Sequence, residues 1–221
     1  MLIKSNKGSN SLPPLQNIID SDEFEETVYN DDEKCSLLNK YFCLISKLDD
    51  ENIPLPEFPL KTDNKIETIV VTVQEIVDVI QTLNPNKACG PDVISHKMLK
   101  ICPEKIAIPL HIIFNKSLEQ CKYPSSWKIA NVIAIFKNGD SSLPSNYSPI
   151  SLISSVGKIM ERVIYKHVYN HLHRNKLLCE YQSGFIPKCS TVHHRLIELY
   201  NCILNALERK EISCFVFCDF S

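Results

Sequence analysis

A short strand and the turn that follows it stand near the middle of the chain, in the sequence Ile129-Ala130-Asn131-Val132-Ile133-Ala134-Ile135-Phe136-Lys137-Asn138-Gly139-Asp140. The apolar residues of this stretch are mostly β-branched, and Asn-Gly is a pair that tight turns favour. Apolar residues recur at helical spacing in the sequence before and after this strand. The sequence therefore predicts an α+β fold that is rich in helix.

The helices have recognisable boundaries. Thr72-Val73-Gln74-Glu75 is a capping box, and Asn84-Pro85 ends the helix that it starts. Pro103 opens another helix. Together with a first amphipathic helix and a last one capped by Ser190 or Thr191, the predicted helices cover about 31–48, 72–84, 103–118, 154–175 and the segment after residue 191.

Charge is divided unevenly along the 221 residues. Residues 1–64 contain 13 acidic and 6 basic side chains, whereas residues 65–221 contain 13 acidic and 18 basic ones. Three prolines, at positions 54, 56 and 59, indicate an extended linker. We therefore expect an acidic, partly disordered arm with one short helix and a linker over residues 1–64, and a mildly basic domain over residues 65–221.

Several classes of protein do not fit the composition. No apolar run has the roughly 18 residues of a membrane span, and the first residues contain no signal-peptide core. We therefore expect an intracellular protein, in the nucleus or the cytoplasm, without a membrane partner. Its ten cysteines are scattered and contain no CxxC pair, so thiols are expected and no disulfide-linked partner.

An apolar run with one carboxylate stands at the C-terminal end of the sequence, Cys214-Phe215-Val216-Phe217-Cys218-Asp219-Phe220. It predicts a buried strand with Asp219 at its tip. Judged from these residues alone, an acidic side chain at a surface-facing strand end is the more common explanation, and a metal ligand is the alternative.

Seven segments in order along the chain resemble the reverse transcriptases of LINE-type (non-LTR) retrotransposons, the jockey-like group especially. The resemblance covers about residue 70 to the end. Each segment alone is a weak signal, and their common order makes chance similarity very improbable. The segments are Asn86-Lys87-Ala88-Cys89-Gly90-Pro91-Asp92, Tyr123-Pro124-Ser125-Ser126-Trp127-Lys128, Ala134-Ile135-Phe136-Lys137-Asn138-Gly139-Asp140, Asn146-Tyr147-Ser148-Pro149-Ile150-Ser151-Leu152, Gln182-Ser183-Gly184-Phe185, Ser190-Thr191 and Phe217-Cys218-Asp219-Phe220-Ser221.

The resemblance implies the helix-rich fingers and the first half of the palm of a right-hand polymerase, truncated after the first palm strand. It implies that Asp219 is catalytic and binds Mg²⁺, with the carbonyl of Phe220 as a further contact. Lys137 resembles the lysine that meets the phosphates of the incoming nucleotide; a solvated hairpin lysine is the equal alternative. The implied partners are an RNA template, a DNA primer and dNTPs.

The sequence departs from the family at four places. Ser148 stands where the family has an arginine, Ala134 where it usually has proline, and Cys121 where it usually has glycine. The hairpin with two adjacent aspartates, which the resemblance places after the first palm strand, is also absent from these residues. Because a two-metal site needs several carboxylates, we expect this chain to be catalytically incomplete by itself.

Two alternative functions remain open from the sequence. One is an active reverse transcriptase whose remaining part is supplied by downstream sequence. The other is a non-catalytic module that binds RNA or DNA through a basic face containing Lys158, Arg162 and Lys188, although a merely solvated helix face is the more common explanation of such a pattern.

Overall fold

The structure, a computed structural model, describes residues 2–3, 12–17, 26–47, 53–54, 56–59, 61–66, 68–179, 181–186, 190, 195–216 and 218. It confirms a mixed α+β architecture. The strands are β1 (Leu2–Ile3), β2 (Leu15–Asn17), β3 (Glu26–Val28), β4 (Asn131–Phe136) and β5 (Tyr147–Leu152), and the helices are α1 (Asp31–Leu44), α2 (Val73–Thr82), α3 (His96–Leu99), α4 (Pro103–Glu119), α5 (Ser155–Arg174) and α6 (Leu196–Glu208). None of these helices is long and apolar enough to cross a bilayer.

The chain divides into two compact units, one of residues 1–60 and 65–169 and the other of residues 61–64 and 170–221. This division differs from the predicted arm of residues 1–64 and domain of residues 65–221. Within the first unit, helix α1 packs on the sheet, so this part of the predicted arm shares a core with strand β4. The prediction that residues 1–64 and residues 65–221 are functionally separate parts of the chain stays a prediction.

The central sheet has the order β1-β4-β5. Strand β1 is parallel to β4, and β4 is antiparallel to β5 with Phe136 opposite Tyr147 and Asn131 opposite Leu152. Strands β2 and β3 form a separate antiparallel hairpin. One face of the central sheet is covered by a small apolar cluster, which consists of Leu15, Leu37, Leu38, Phe42, Val132 and Tyr147.

A larger core joins three helices of the first unit. Helices α2, α4 and α5 contribute buried aliphatic side chains and Phe114, which is fully buried. Trp127 packs edge-on against Phe114 and against Tyr123, with ring centroids 5.8 and 5.6 Å apart. Phe114 is therefore a core residue, and Trp127 and Tyr123 are partly buried against the same core.

For residues 214–216, the structure corrects the prediction of a buried strand over residues 214–220. Residues 214–216 have no regular secondary structure, and Val216 is 82% exposed. A single strand is not stable in water without a partner, and no described strand pairs with this segment. Phe217, Asp219 and Phe220 lie outside the described residues.

Helix α6 belongs to the second unit. It starts at Leu196, later than the predicted cap; Thr191 lies outside the described residues. Its spacing is amphipathic, but none of its residues is buried. Before its first turn, Arg195 forms an ion pair with Glu198 and lies 6.0 Å from the ring centroid of Tyr181.

Candidate functional site

A ten-residue connection joins β4 to β5, and its own backbone and side chains hold it in place. The N–H of Lys137 donates to the carbonyl of Asn146 at 2.8 Å, and the amide of Asn146 donates to the carbonyl of Asp140 at 2.8 Å. The carboxylate of Asp140 accepts hydrogen bonds from the N–H and the hydroxyl of Ser142, which lower the pKa of that carboxyl group. Gly139 supplies the left-handed conformation, with φ of 86°.

Tyr147 supports this connection from the buried side of the sheet. Its hydroxyl donates to the carbonyl of Ser141 at 2.7 Å, and its ring lies 5.5 Å from that of Phe136. Burial, and then the negative charge of Asp140, raise the pKa of Tyr147. The tyrosine therefore stays neutral and fixes the start of β5 against the core.

The opposite face of the hairpin is open. Ile135 pairs with Ser148 across the strands, and the alternation of side chains places Lys137 on the same face as Ile135. Ile135 and Ile150 are 45% and 49% exposed, and Lys137 is exposed as well. The structure therefore places Lys137 and Ser148, two of the positions singled out by the sequence, on one exposed and largely apolar face.

The segment of residues 86–94 is attached to the start of helix α5. The hydroxyl of Ser154, which is fully buried, donates to the carboxylate of Asp92 at 2.6 Å. A Cβ atom at Gly90 would lie 2.5 Å from the carbonyl carbon of Ile153, so only glycine fits there. Val93 has φ of 60°, an uncommon conformation for a β-branched residue. This glycine-containing segment thus has a packing role.

Two of the three predicted basic residues lie on helix α5. Lys158 and Arg162 lie one turn apart on helix α5, where Lys158 is half-buried and Arg162 is exposed. The guanidinium of Arg162 is 3.5 Å from the hydroxyl of Thr82. Lys188, the third predicted member of this face, lies outside the described residues.

The predicted metal site is also outside the described part of the chain, because the structure describes neither Asp219 nor Phe220. Among the residues that the structure describes, no group of three or more histidine, cysteine, aspartate or glutamate side chains is arranged so that it could hold a metal ion. The role of Asp219 as a ligand of Mg²⁺ therefore stays a prediction.

Two tyrosines that the sequence reasoning did not use lie on helix α5. Tyr165 and Tyr169 are four residues apart and their rings stack, with centroids 5.7 Å apart and an interplanar angle of 25°. The sequence contained a signal for this pair. Lys158, Arg162, Tyr165 and Tyr169 follow one another at intervals of four, three and four residues, which places them on one face of a helix.

The chain is similar to polymerases of mobile elements. It is 34% identical, over 172 residues, to the probable RNA-directed DNA polymerase from transposon BS of Drosophila melanogaster; the match covers 76% of this chain and 18% of that protein. It is 33% identical, over 152 residues, to the RNA-directed DNA polymerase from mobile element jockey of the same fly, covering 67% of this chain and 16% of that protein.

A third relative is the probable RNA-directed DNA polymerase from transposon X-element of D. melanogaster, with 32% identity over 66% of this chain and 16% of that protein. No protein-family model matches the chain. The chain thus spans less than a fifth of the length of these curated relatives. It belongs, as a partial segment, to the family of RNA-directed DNA polymerases of non-LTR retrotransposons.

Proposed function

We propose that the chain is the fingers and the first part of the palm of an RNA-directed DNA polymerase, and that the β4–β5 hairpin binds the incoming dNTP. In this proposal the ammonium group of Lys137 contacts the triphosphate. A lysine serves as a compact positive charge for phosphate oxygens, and this role needs no other residue of the hairpin to be charged.

The observation that carries the proposal is the open face of the hairpin. Lys137 and Ser148 share it with Ile135 and Ile150, which are about half exposed, and the opposite face is buried only around Val132 and Tyr147. Apolar surface with one or two well-placed polar groups is typical of small-molecule sites. The exposed isoleucines are suited to the base and sugar, and the lysine to the phosphates.

The rigidity of the connection supports the same role. The backbone of Lys137 is bonded to Asn146, and Asn146 and Tyr147 in turn hold residues 140 and 141. A side chain whose backbone is already fixed loses less conformational entropy when it binds a ligand.

The test is a titration of ¹⁵N-labelled protein with dTTP, followed by amide chemical shifts. We expect shifts in residues 133–150 of the wild-type protein and at least a tenfold weaker affinity for Lys137→Gln, since a charge-assisted hydrogen bond contributes about 1.5–3 kcal/mol. Lys128→Gln, which removes an equal charge from an exposed position outside the hairpin, is the control. Equal effects of the two substitutions would contradict the proposal.

Templated synthesis is a separate question. We propose that Asp219 is a ligand of the catalytic Mg²⁺ and that Phe220 adds its carbonyl, with the remaining carboxylates coming from outside residues 1–221. A polypeptide of residues 1–221 is therefore expected not to extend a DNA primer on an RNA template with Mg²⁺ or Mn²⁺. Extension that Asp219→Ala abolishes would favour the alternative of a complete enzyme.

A further inference from the structure

Three successive backbone carbonyls of the β4–β5 connection accept hydrogen bonds. The carbonyls of Asp140 and Ser141 accept them from side chains of the hairpin itself. The carbonyl of Ser142 instead accepts the backbone N–H of Gln16, in strand β2, at 2.8 Å. This last hydrogen bond attaches the connection that begins at Lys137 to a segment far upstream in the sequence.

The upstream segment, residues 12–17, is here named the brace. Two consecutive prolines at positions 13 and 14 fix the backbone angle φ there, so the chain has little freedom just before β2. Leu15 follows these prolines and is fully buried in the apolar cluster that also contains Tyr147. Because the brace is stiff and packed, a displacement of its first residue is transmitted to the hydrogen bond at its other end.

A buried lysine holds the first residue of the brace. Lys34 of helix α1 is 5% exposed, and its ammonium group donates to the carbonyl of Leu12 at 2.8 Å. The same group lies 3.3 Å from the carboxylate of Asp31. Withdrawing an ammonium group from water is unfavourable unless new hydrogen bonds replace its hydration. The hydrogen bond to the brace is part of that replacement, so the burial of Lys34 and the position of Leu12 depend on each other.

We propose that the brace positions the β4–β5 connection, and that Lys34 is a positioning residue for the nucleotide site because it holds the brace. This inference rests on the proposed function, in which Lys137 of the same connection contacts the triphosphate. A connection that is already fixed loses less conformational entropy when a ligand binds. Removal of the ammonium group of Lys34 should therefore weaken nucleotide binding, although this group bonds to the brace and not to the nucleotide.

The first measurement is the amide hydrogen exchange of ¹⁵N-labelled protein without nucleotide. Lys34→Met removes the ammonium group and keeps a long apolar side chain in the buried position. We expect it to speed the exchange of the amides of Gln16 and Lys137 about tenfold relative to the amide of Phe114, which lies in the larger core. Lys47→Met removes an equal charge from an exposed position just after α1 and should leave these rates unchanged.

The second measurement is the affinity of the full chain for dTTP, at a temperature where circular dichroism shows each variant to be folded. Lys34→Met and Gln16→Pro should each weaken binding about fivefold, because both release the connection from the brace. Lys47→Met should bind dTTP as the wild-type protein does. Leu99→Ala, which truncates a buried side chain of the larger core, controls for a loss of stability alone and should also leave the affinity unchanged.

A semisynthetic protein tests the same hydrogen bond if Gln16→Pro does not fold. Ligation at the free thiol of Cys35 allows residues 1–34 to be synthesised with an ester in place of the amide of Gln16, which removes the N–H and keeps the side chain. The ester should weaken dTTP binding to the same degree as Lys34→Met. The two changes together should weaken it no further, because both act through the brace, whereas additive losses would contradict this mechanism.

The inference is overturned if Lys34→Met binds dTTP as tightly as the wild-type protein, or if the Lys137 amide of that variant exchanges at the wild-type rate. A failure of the hairpin proposal gives a different result. In that case Lys137→Gln leaves dTTP binding unchanged, while the exchange rates without nucleotide still show whether Lys34 holds the connection through the brace.

Discussion

Ser148 and Lys137 occupy the same open face of the β4–β5 hairpin, but only one of them is charged. The family resemblance places an arginine at position 148, and the serine hydroxyl offers a single donor without charge. Its cross-strand neighbour Ile135 is about half exposed, so a longer side chain at 148 can extend into solvent. In the proposed nucleotide site, the binding of phosphate on this face would thus depend on one lysine.

Restoring an arginine should therefore strengthen nucleotide binding. We expect Ser148→Arg to bind dTTP about tenfold more tightly than the wild-type protein, because a guanidinium adds charge-assisted hydrogen bonds to phosphate. The measurement is a fluorescence titration with a labelled dTTP analogue. Ser125→Arg adds the same charge at an exposed position outside the hairpin, and an equal gain in that variant would show that the effect is only nonspecific attraction.

Cys121 follows helix α4 with φ of 52°, in the left-handed region. The next residue, Lys122, donates its N–H to the carbonyl of Ser117 at 3.0 Å, which closes the helix in the manner of a Schellman motif. The sequence resemblance had marked this position as one where the family has glycine. The backbone conformation supplies the physical reason, because a Cβ atom is unfavourable there.

Replacing this residue by glycine should stabilise the protein. We expect Cys121→Gly to raise the free energy of unfolding by about 1 kcal/mol, measured by urea denaturation. Cys43→Gly, at an exposed position within helix α1, should change it in the opposite direction by about 0.5–1 kcal/mol. Destabilisation by both substitutions would contradict the strain assigned to Cys121.

Helix ends with strong local signals were predictable from the sequence. The capping box at Thr72 and Glu75 is present with both of its hydrogen bonds, and helix α4 begins at Pro103 as expected. Strand β5 is less evident from the sequence, because it contains Pro149. In the structure Pro149 lies opposite Ala134 in an edge strand, where a missing N–H can face away from the ladder.

The capping box predicts how stability depends on pH. Burial opposes the ionisation of Glu75, but hydrogen bonds from Thr72 and the charges of His167 and Lys166 lower the pKa of its carboxyl group below the ordinary value of 4.5. A lowered pKa in the folded state gives stabilisation that is complete above the unfolded-state pKa and is lost as the pH falls through the folded-state value.

Two substitutions separate charge from capping. Glu75→Gln keeps a side chain that can complete the box, so it should lose the stabilisation gained between acidic and neutral pH but retain most of the cap. Glu75→Ala should cost about 1 kcal/mol at neutral pH. Denaturant titrations at pH 3.5 and 7 measure the free energy of unfolding of both variants. Asp78→Asn is the control. An unchanged pH dependence of the free energy of unfolding in Glu75→Gln would refute this role of the carboxylate.

The sequence could not reveal which strands pair when they are distant from one another along the chain. The antiparallel hairpin of β2 and β3 was hidden because these strands have only three residues each and lie in a polar, acidic region. Their position depends on contacts distant in sequence, such as the hydrogen bond from the N–H of Gln16 to the carbonyl of Ser142 at 2.8 Å. The exposure of the open face of the hairpin could not be predicted either, because it depends on which parts of the chain pack against each face of the sheet.

The core beneath the hairpin gives a test of this organisation. Leu38 of helix α1 is fully buried in the cluster that contains Val132 and Tyr147. We expect Leu38→Ala to lower the free energy of unfolding of the first unit by about 2–5 kcal/mol. Leu44→Ala, at a side chain that is 46% exposed, should have a much smaller effect. If residues 31–44 formed an independent arm, both substitutions would leave the stability of the hairpin unchanged.

We expect a nucleotide to bind to the open face of the β4–β5 hairpin. Photolabelling with 8-azido-dATP, followed by mass spectrometric mapping of the modified peptide, locates the bound nucleotide. Label should map between residues 131 and 152, be competed by excess dATP and be reduced in Lys137→Gln. Label that maps elsewhere in the chain, or that excess dATP does not displace, would contradict it.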